Sequence, residues 1–147
     1  MSDTISSDLS NEWLSSLADS GYRLTRPLQV IVNVLVSTER ALSPVDIFDL
    51  GRKEYPKMGL VTVYRALEKL EELGLVQRVH HPSGCHRYLR AAHGHEHLLL
   101  CTSCGLAVYF AGDDLTHFIQ SVAAKTGFEI REHWFQLFGL CEQCRGK

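Results

Sequence analysis

The sequence holds two Cys-x-x-Cys pairs, Cys101-Thr-Ser-Cys104 and Cys141-Glu-Gln-Cys144, with 36 residues between them. A tight turn lets the two thiolates of each pair converge. Two such turns complete the tetrahedral all-sulfur shell that Zn²⁺ accepts without geometric penalty. The competing readings are two redox or disulfide pairs, or four buried thiols. A chain without secretory features disfavours disulfides, and a thioredoxin-like motif needs a single pair beside a βαβ unit. Four protein ligands leave no open position, so a zinc ion on Cys101, Cys104, Cys141 and Cys144 is expected to be structural. Given the long separation, it must join the first strand pair of a small α/β domain to its C-terminal end.

All eight histidines and all five cysteines lie from residue 80 onward. His95 and His97 stand two apart just before a strand, so in extended chain they project to one side and can bind one ion. His117 on the next helix and His133 near the last strand could close over them. The plainer alternative is solvated loop histidines. Taken together the four predict a second, His-rich metal site, and neutral imidazole suits zinc, iron, nickel and copper alike, so the residues leave its ion open. His80, His81, Cys85 and His86 at a hairpin could supply another site; otherwise Cys85 is an ordinary thiol.

Charge divides differently. Residues 1–20 hold four acids and no base, residues 21–90 eleven Lys/Arg against seven acids, and residues 91–147 four against six, within a net charge of −2. The basic stretch contains a helix with Thr62, Arg65 and Lys69 on its outer face and Tyr64 adjacent. In helix-turn-helix proteins the start of the second helix meets base edges, where Arg can reach guanine bidentately. A solvated helix face is the alternative. The surrounding elements favour DNA, and the modest local charge implies two copies of the domain on the duplex.

Those elements follow from caps and periodicity. Residues 11–19 form a short amphipathic helix, and residues 1–10 are expected to be disordered. Thr25 with Pro27, and Ser43 with Pro44, open two further helices. A fourth begins at Thr62 and stops at Gly74. Residues 75–80 and 85–90 read as strands around the turn at 81–84, completing a winged helix-turn-helix. Beyond a polar hinge, strands are expected at 98–101 and 106–110, a helix at 113–127 and a strand across 128–140. The expected class is α+β: a winged-helix domain over 1–91, a hinge over 92–97 and a small α/β dimerisation domain over 98–147. At 147 residues and 45% hydrophobic the chain can bury a core, which excludes disorder throughout. It lacks a basic leader and any apolar run near ~20 residues, so a soluble cytoplasmic protein without membrane contact is expected.

With Thr62-Val63-Tyr64-Arg65-Ala66-Leu67, Gly74-Leu75-Val76, the His95–His97 run, Cys101-x-x-Cys104-Gly105, Gly127-Phe128, His133 and Leu137-Phe138-Gly139-Leu140-Cys141-x-x-Cys144, residues 21–144 resemble the ferric-uptake-regulator family of bacterial metal-dependent repressors. The resemblance implies a winged DNA-binding domain, a dimerisation domain, a structural four-cysteine zinc, a sensing metal at the hinge, and DNA contacts at Arg23, Tyr64 and Arg65. It also exposes departures. Ala41, Leu89 and Ala91 stand where the hinge site usually has donors. Aligned back from Cys101, Glu96 and Leu98 take the places of its two histidines. That register sets His95, His97 and His133 on the family's second His-rich site, with Thr116 in the place of its usual Glu and His117 beside it. A one-residue insertion in 98–100 would instead return His95 and His97 to the hinge. Leu28 replaces a frequent phosphate-contacting Arg.

Two function classes are therefore weighed. The first is a metal-responsive repressor binding palindromic operator DNA as a homodimer, with zinc-type sensing ahead of iron or peroxide sensing. The second is a zinc-dependent hydrolase or deaminase. Deaminases need a Glu two residues after a His ligand, and here Glu96 follows His95 directly. The enzyme reading is accordingly set aside.

Overall fold

The computed structural model describes residues 2–112 and 115–147. Four helices come first, α1 (Ser2–Asp19), α2 (Arg26–Val36), α3 (Pro44–Glu54) and α4 (Leu60–Glu72). A hairpin follows, β1 (Val76–His80) and β2 (His86–Arg90), then β3 (Glu96–Cys101), β4 (Ala107–Ala111), α5 (Thr116–Thr126), β5 (Gln136–Gly139) and α6 (Glu142–Arg145). Helices with a hairpin wing, succeeded by a small sheet, give the α+β layout expected from the sequence.

The starts of α2 and α3 are fixed by their caps. Thr25 accepts from the Leu28 N–H, and Ser43 forms a reciprocal capping box with Asp46, whose carboxylate accepts the Ser43 N–H at 2.9 Å. Gly74, with φ +68°, ends α4 in the left-handed conformation that glycine adopts without strain. One face of each helix meets the others around Leu17, Ile31, Leu35, Ile47, Leu67 and Leu70, all fully buried. Each such side chain contributes roughly 1.5–3 kcal/mol of transfer free energy. Val76 and Tyr88 extend this core into the wing.

A second core is made of Ala41, Val79, Leu89, Leu98, Leu100 and Ala107, residues from both sides of the 92–97 segment. Backbone bonds reinforce it: the Ala41 N–H donates to Gly105 O at 2.8 Å and the Ala107 N–H to Glu39 O at 2.9 Å. The wing thus lies against the C-terminal sheet, whose strand order is β4-β3-β5, with β3 antiparallel to β4 and parallel to β5.

Several expectations change. Residues 2–10 are not disordered but continue α1, because Leu9 packs on the core and the Ser10 hydroxyl donates to Asn33 Oδ1 at 2.6 Å. Helix α4 starts at Leu60, two residues before Thr62. β3 starts at Glu96, so Glu96 and His97 already belong to the sheet. The strand expected across 128–140 shrinks to β5. No described strand faces residues 128–135, and Glu129 and Arg131 pair with one another on the surface instead. Residues 113 and 114, expected to open the helix before Gly127, lie outside the described residues.

Candidate metal centres and nucleic-acid face

Turn geometry gathers the cysteines. The Cys101 N–H donates to Leu106 O and the Gly105 N–H to Cys101 O, folding residues 101–106 back on themselves. The Cys144 N–H donates to Cys141 O in the second knuckle. Parallel pairing of Cys101 with Gly139 then brings both knuckles to one end of the sheet. The ligand atoms of Cys101, Cys104, Cys141 and Cys144 all lie within 4.8 Å of one another. Cys104 Sγ is 3.7 Å from Cys141 Sγ. Four thiolates at about 2.3 Å around a tetrahedral ion stand about 3.8 Å apart, so the set fits zinc. Backbone N–H groups of Cys104 and then Cys141 draw the Cys101 thiol from its ordinary 9.0 down to about 6, which favours the thiolate a metal needs.

The four histidines are only partly assembled. His97, buried on β3, has its ring 6.0 Å from the His133 ring, 5.2 Å from Phe135 and 5.7 Å from Phe110. Two imidazoles on one tetrahedral ion have ring centres about 5 Å apart, so a small closing motion would let these two share one. A small cavity there is also lined by Glu96, Gln77 and Gln136. The Gln136 side-chain nitrogen is buried without a hydrogen-bond partner among the described residues. No three of His95, His97, His117 and His133 bring their ring nitrogens mutually within 4.8 Å. Same-side projection two residues apart requires extended chain, and Gly94–His95 is a turn with Gly94 at φ +57°. His117 is exposed on α5, a helix with no buried residue.

The positions that the resemblance assigns to the hinge site offer little to a metal. Ala41, Leu89 and Leu98 are buried apolar residues. Glu96 accepts the His93 N–H at 3.0 Å, which with the Arg90 charge lowers its carboxyl below the usual range.

On α4, Tyr64 and Arg65 are exposed and Thr62 is partly so. Lys69 Nζ stands 5.2 Å over the Tyr22 ring, and the Tyr22 hydroxyl donates to Glu72 at 3.0 Å. These two contacts pin residue 22 to α4 and set exposed Arg23 beside it. The earlier helix start also brings Leu60 and Val61 to the exposed tip.

Other contacts at the junction carry no sequence signal. His81 at the wing turn is buried. Its Nδ1 accepts from the Ser83 N–H, which leaves Nε2 to donate to Thr102 O at 2.9 Å, inside the first cysteine knuckle. Gly112 lies against the His97 ring, and Arg90 against Tyr109. Each pair is set by tertiary register alone.

Residues 19–138 match the model of the ferric uptake regulator family. The chain belongs to the ferric uptake regulator family. It is 38% identical over 137 residues to the ferric uptake regulation protein of Bacillus subtilis (strain 168), covering 89% of this chain and 91% of that one. A zinc uptake regulator solved in complex with zinc and DNA superposes with a TM-score of 0.73 at 25% identity, covering 96% of this chain and 95% of that one. The Helicobacter pylori ferric uptake regulator superposes at 0.71 with 23% identity, over 95% and 93% of the two chains, and supports the fold. As a family member the chain is a metal-responsive transcriptional regulator with an N-terminal winged helix and a C-terminal dimerisation domain. Iron-type and zinc-type relatives both match. Among the described residues no helix is long and apolar enough to cross a membrane.

Proposed function

We propose that this chain is a homodimeric cytoplasmic repressor of metal-homeostasis genes that binds operator DNA when a divalent ion, zinc foremost, fills the pocket of His97 and His133. The observation that carries the reading is the contrast between two sites: four cysteines closed on one another, and two histidines facing across a cavity in a separate place. A closed shell holds a structural ion, whereas an incomplete one can gain and lose an ion as its concentration changes. His95 and His117 are proposed to complete the second site as their turn and helix close on it. The domain division is proposed as winged helix over 1–91, hinge over 92–97 and dimerisation domain over 98–147.

Dimer formation is supported by exposed Phe118, Phe128, Trp134, Leu137, Phe138 and Leu140, a concentration of apolar surface that monomers rarely leave in water. Arg65 and Tyr64 are proposed to meet base edges, Thr62 to lie on the same reading face, and Arg23 and Lys69 to meet phosphate. Filling the histidine pocket would fix residues 93–97 against 133–136 and favour one setting of the two winged domains, a population shift rather than a new DNA contact. Ferrous iron is the second reading, since an iron-type relative matches the chain and imidazole accepts that ion as well.

The test titrates metal against operator binding in the parent, His97→Ala and His133→Ala. Loss of the metal response in both variants is expected. An unchanged response in both would move the sensor elsewhere, with Cys85, His80, His81 and His86 at the wing next in line.

A further inference from the structure

Arg90 is the last residue of β2, one residue short of the hinge proposed over 92–97. Its side chain turns across the hinge. The guanidinium carbon sits 3.8 Å from the centre of the Tyr109 ring on β4, and Nη1 lies 3.5 Å from Glu96 Oε2 on β3 and 3.3 Å from Ala91 O. The bond is returned from the other side, since the Tyr109 hydroxyl donates to the carbonyl of Arg90 itself. One side chain therefore ties three strands together, one from the wing and two from the C-terminal sheet. Arg suits this role because its planar guanidinium can stack on an aromatic face while its N–H groups reach oxygens in the same plane.

This tie stands at the edge of the junction core of Ala41, Val79, Leu89, Leu98, Leu100 and Ala107, on which Tyr109 packs. A cavity of about 610 Å³ opens beside it, bordered by Leu9 and Leu35 from the helices, by Glu39, and by Leu89, Arg90 and Tyr109. The side chains of Arg90 and Glu96 are each about one-third exposed, so their attraction is only partly screened. The apolar core and its backbone bonds hold the wing to the sheet, and the charged clasp adds a tie at the edge left open by the cavity.

We propose that Arg90 is a tethered cation that holds the winged half against the metal-binding sheet, positioning it for DNA whether or not the regulatory ion is bound. The DNA part of this proposal rests on the function proposed above; the clasp does not. In consequence the repressor has a basal DNA affinity on which the metal response is built.

The experiment uses the full chain, loaded with zinc at the four cysteines and stripped at the histidine pocket with a chelator. Arg90→Met keeps the length and apolar stem without the charge. It is expected to speed amide hydrogen exchange over residues 91–96 about tenfold and to weaken operator binding in chelator about tenfold, as the loss of a partly buried cation–π contact with an ion pair implies. Saturating regulatory metal should restore most of the affinity. Arg90→Lys should fall between the two, and Tyr109→Leu should reproduce the exchange change through a different residue. Parental exchange rates in both Arg90→Met and Tyr109→Leu would overturn the clasp. If the parent itself bound no operator, the functional reading would fail while the exchange measurements still decided the clasp.

Discussion

A methyl group at position 112 is expected to disable the histidine pocket without touching a ligand. A Cβ added at Gly112 would lie 2.6 Å from His97 Nε2 and closer still to Cδ2, against the 3.4 Å at which ordinary contact begins. The ring must therefore retreat by at least about 0.8 Å, several times the ±0.2 Å within which a metal–ligand distance is held. His97 cannot retreat freely, because it is buried with Phe110 on one side and Phe135 on the other. Overpacking of this kind costs about 1–3 kcal/mol of stability, too little to unfold an ordinary domain. Regulatory-metal affinity in Gly112→Ala should fall about 10–100-fold, the range seen when the groups that orient a ligand are changed. Competition with a chromophoric chelator, on protein already holding zinc at the cysteines, reads this directly. Affinity equal to the parent's would mean that His97 is not a ligand, or that its ring sits elsewhere when metal binds.

Three further outcomes are expected. Cys104→Ser, which removes a sulfur 3.7 Å from Cys141 Sγ, should release the structural zinc and lower the unfolding midpoint by several degrees; stoichiometric zinc surviving with all four cysteines changed to Ser would refute that site. Arg65→Ala should weaken operator binding by about 1–3 kcal/mol and relax base preference in competition assays, and an unchanged preference would assign base reading to another element. In metal-free protein Cys101, drawn from 9.0 to about 6, should stay a thiolate through neutral pH. Because its folded value is depressed, its stabilising contribution is complete above pH 9, shrinks as pH falls and is gone below about 6, which a thiolate absorbance titration beside thermal melts can follow.

The sequence was most legible where a local rule acts. Thr25 and Ser43 announce helix starts because their side chains cap the residues that follow, and Gly74 and Gly127 mark stops through the left-handed conformation. The cysteine quartet was legible because two short-range pairs are unambiguous even when the chain between them is long. Legibility failed where a partner segment decides. Residues 128–135 carry strand-like composition but lack a described strand to pair with, and residues 2–10 look disordered until Leu9 and Ser10 find the core and Asn33. The approach of His97 to His133 depends on the path of the irregular segment that leads into β5, whereas the separation of His95 follows from the turn at Gly94. The Arg90–Tyr109 clasp joins residues 19 apart on different sheets and has no sequence signature.

The central claim is that an exchangeable ion at His97 and His133, distinct from the zinc on the four cysteines, governs DNA binding. The most direct measurement is fluorescence anisotropy of labelled operator DNA with protein containing one zinc per chain, as a second equivalent of metal is added. The account predicts weak binding at one equivalent and a rise of about tenfold or more in affinity that saturates at two, corresponding to a coupling of about 1.4 kcal/mol or more. Equal affinity at one and two equivalents, with the cysteine zinc intact, would contradict it.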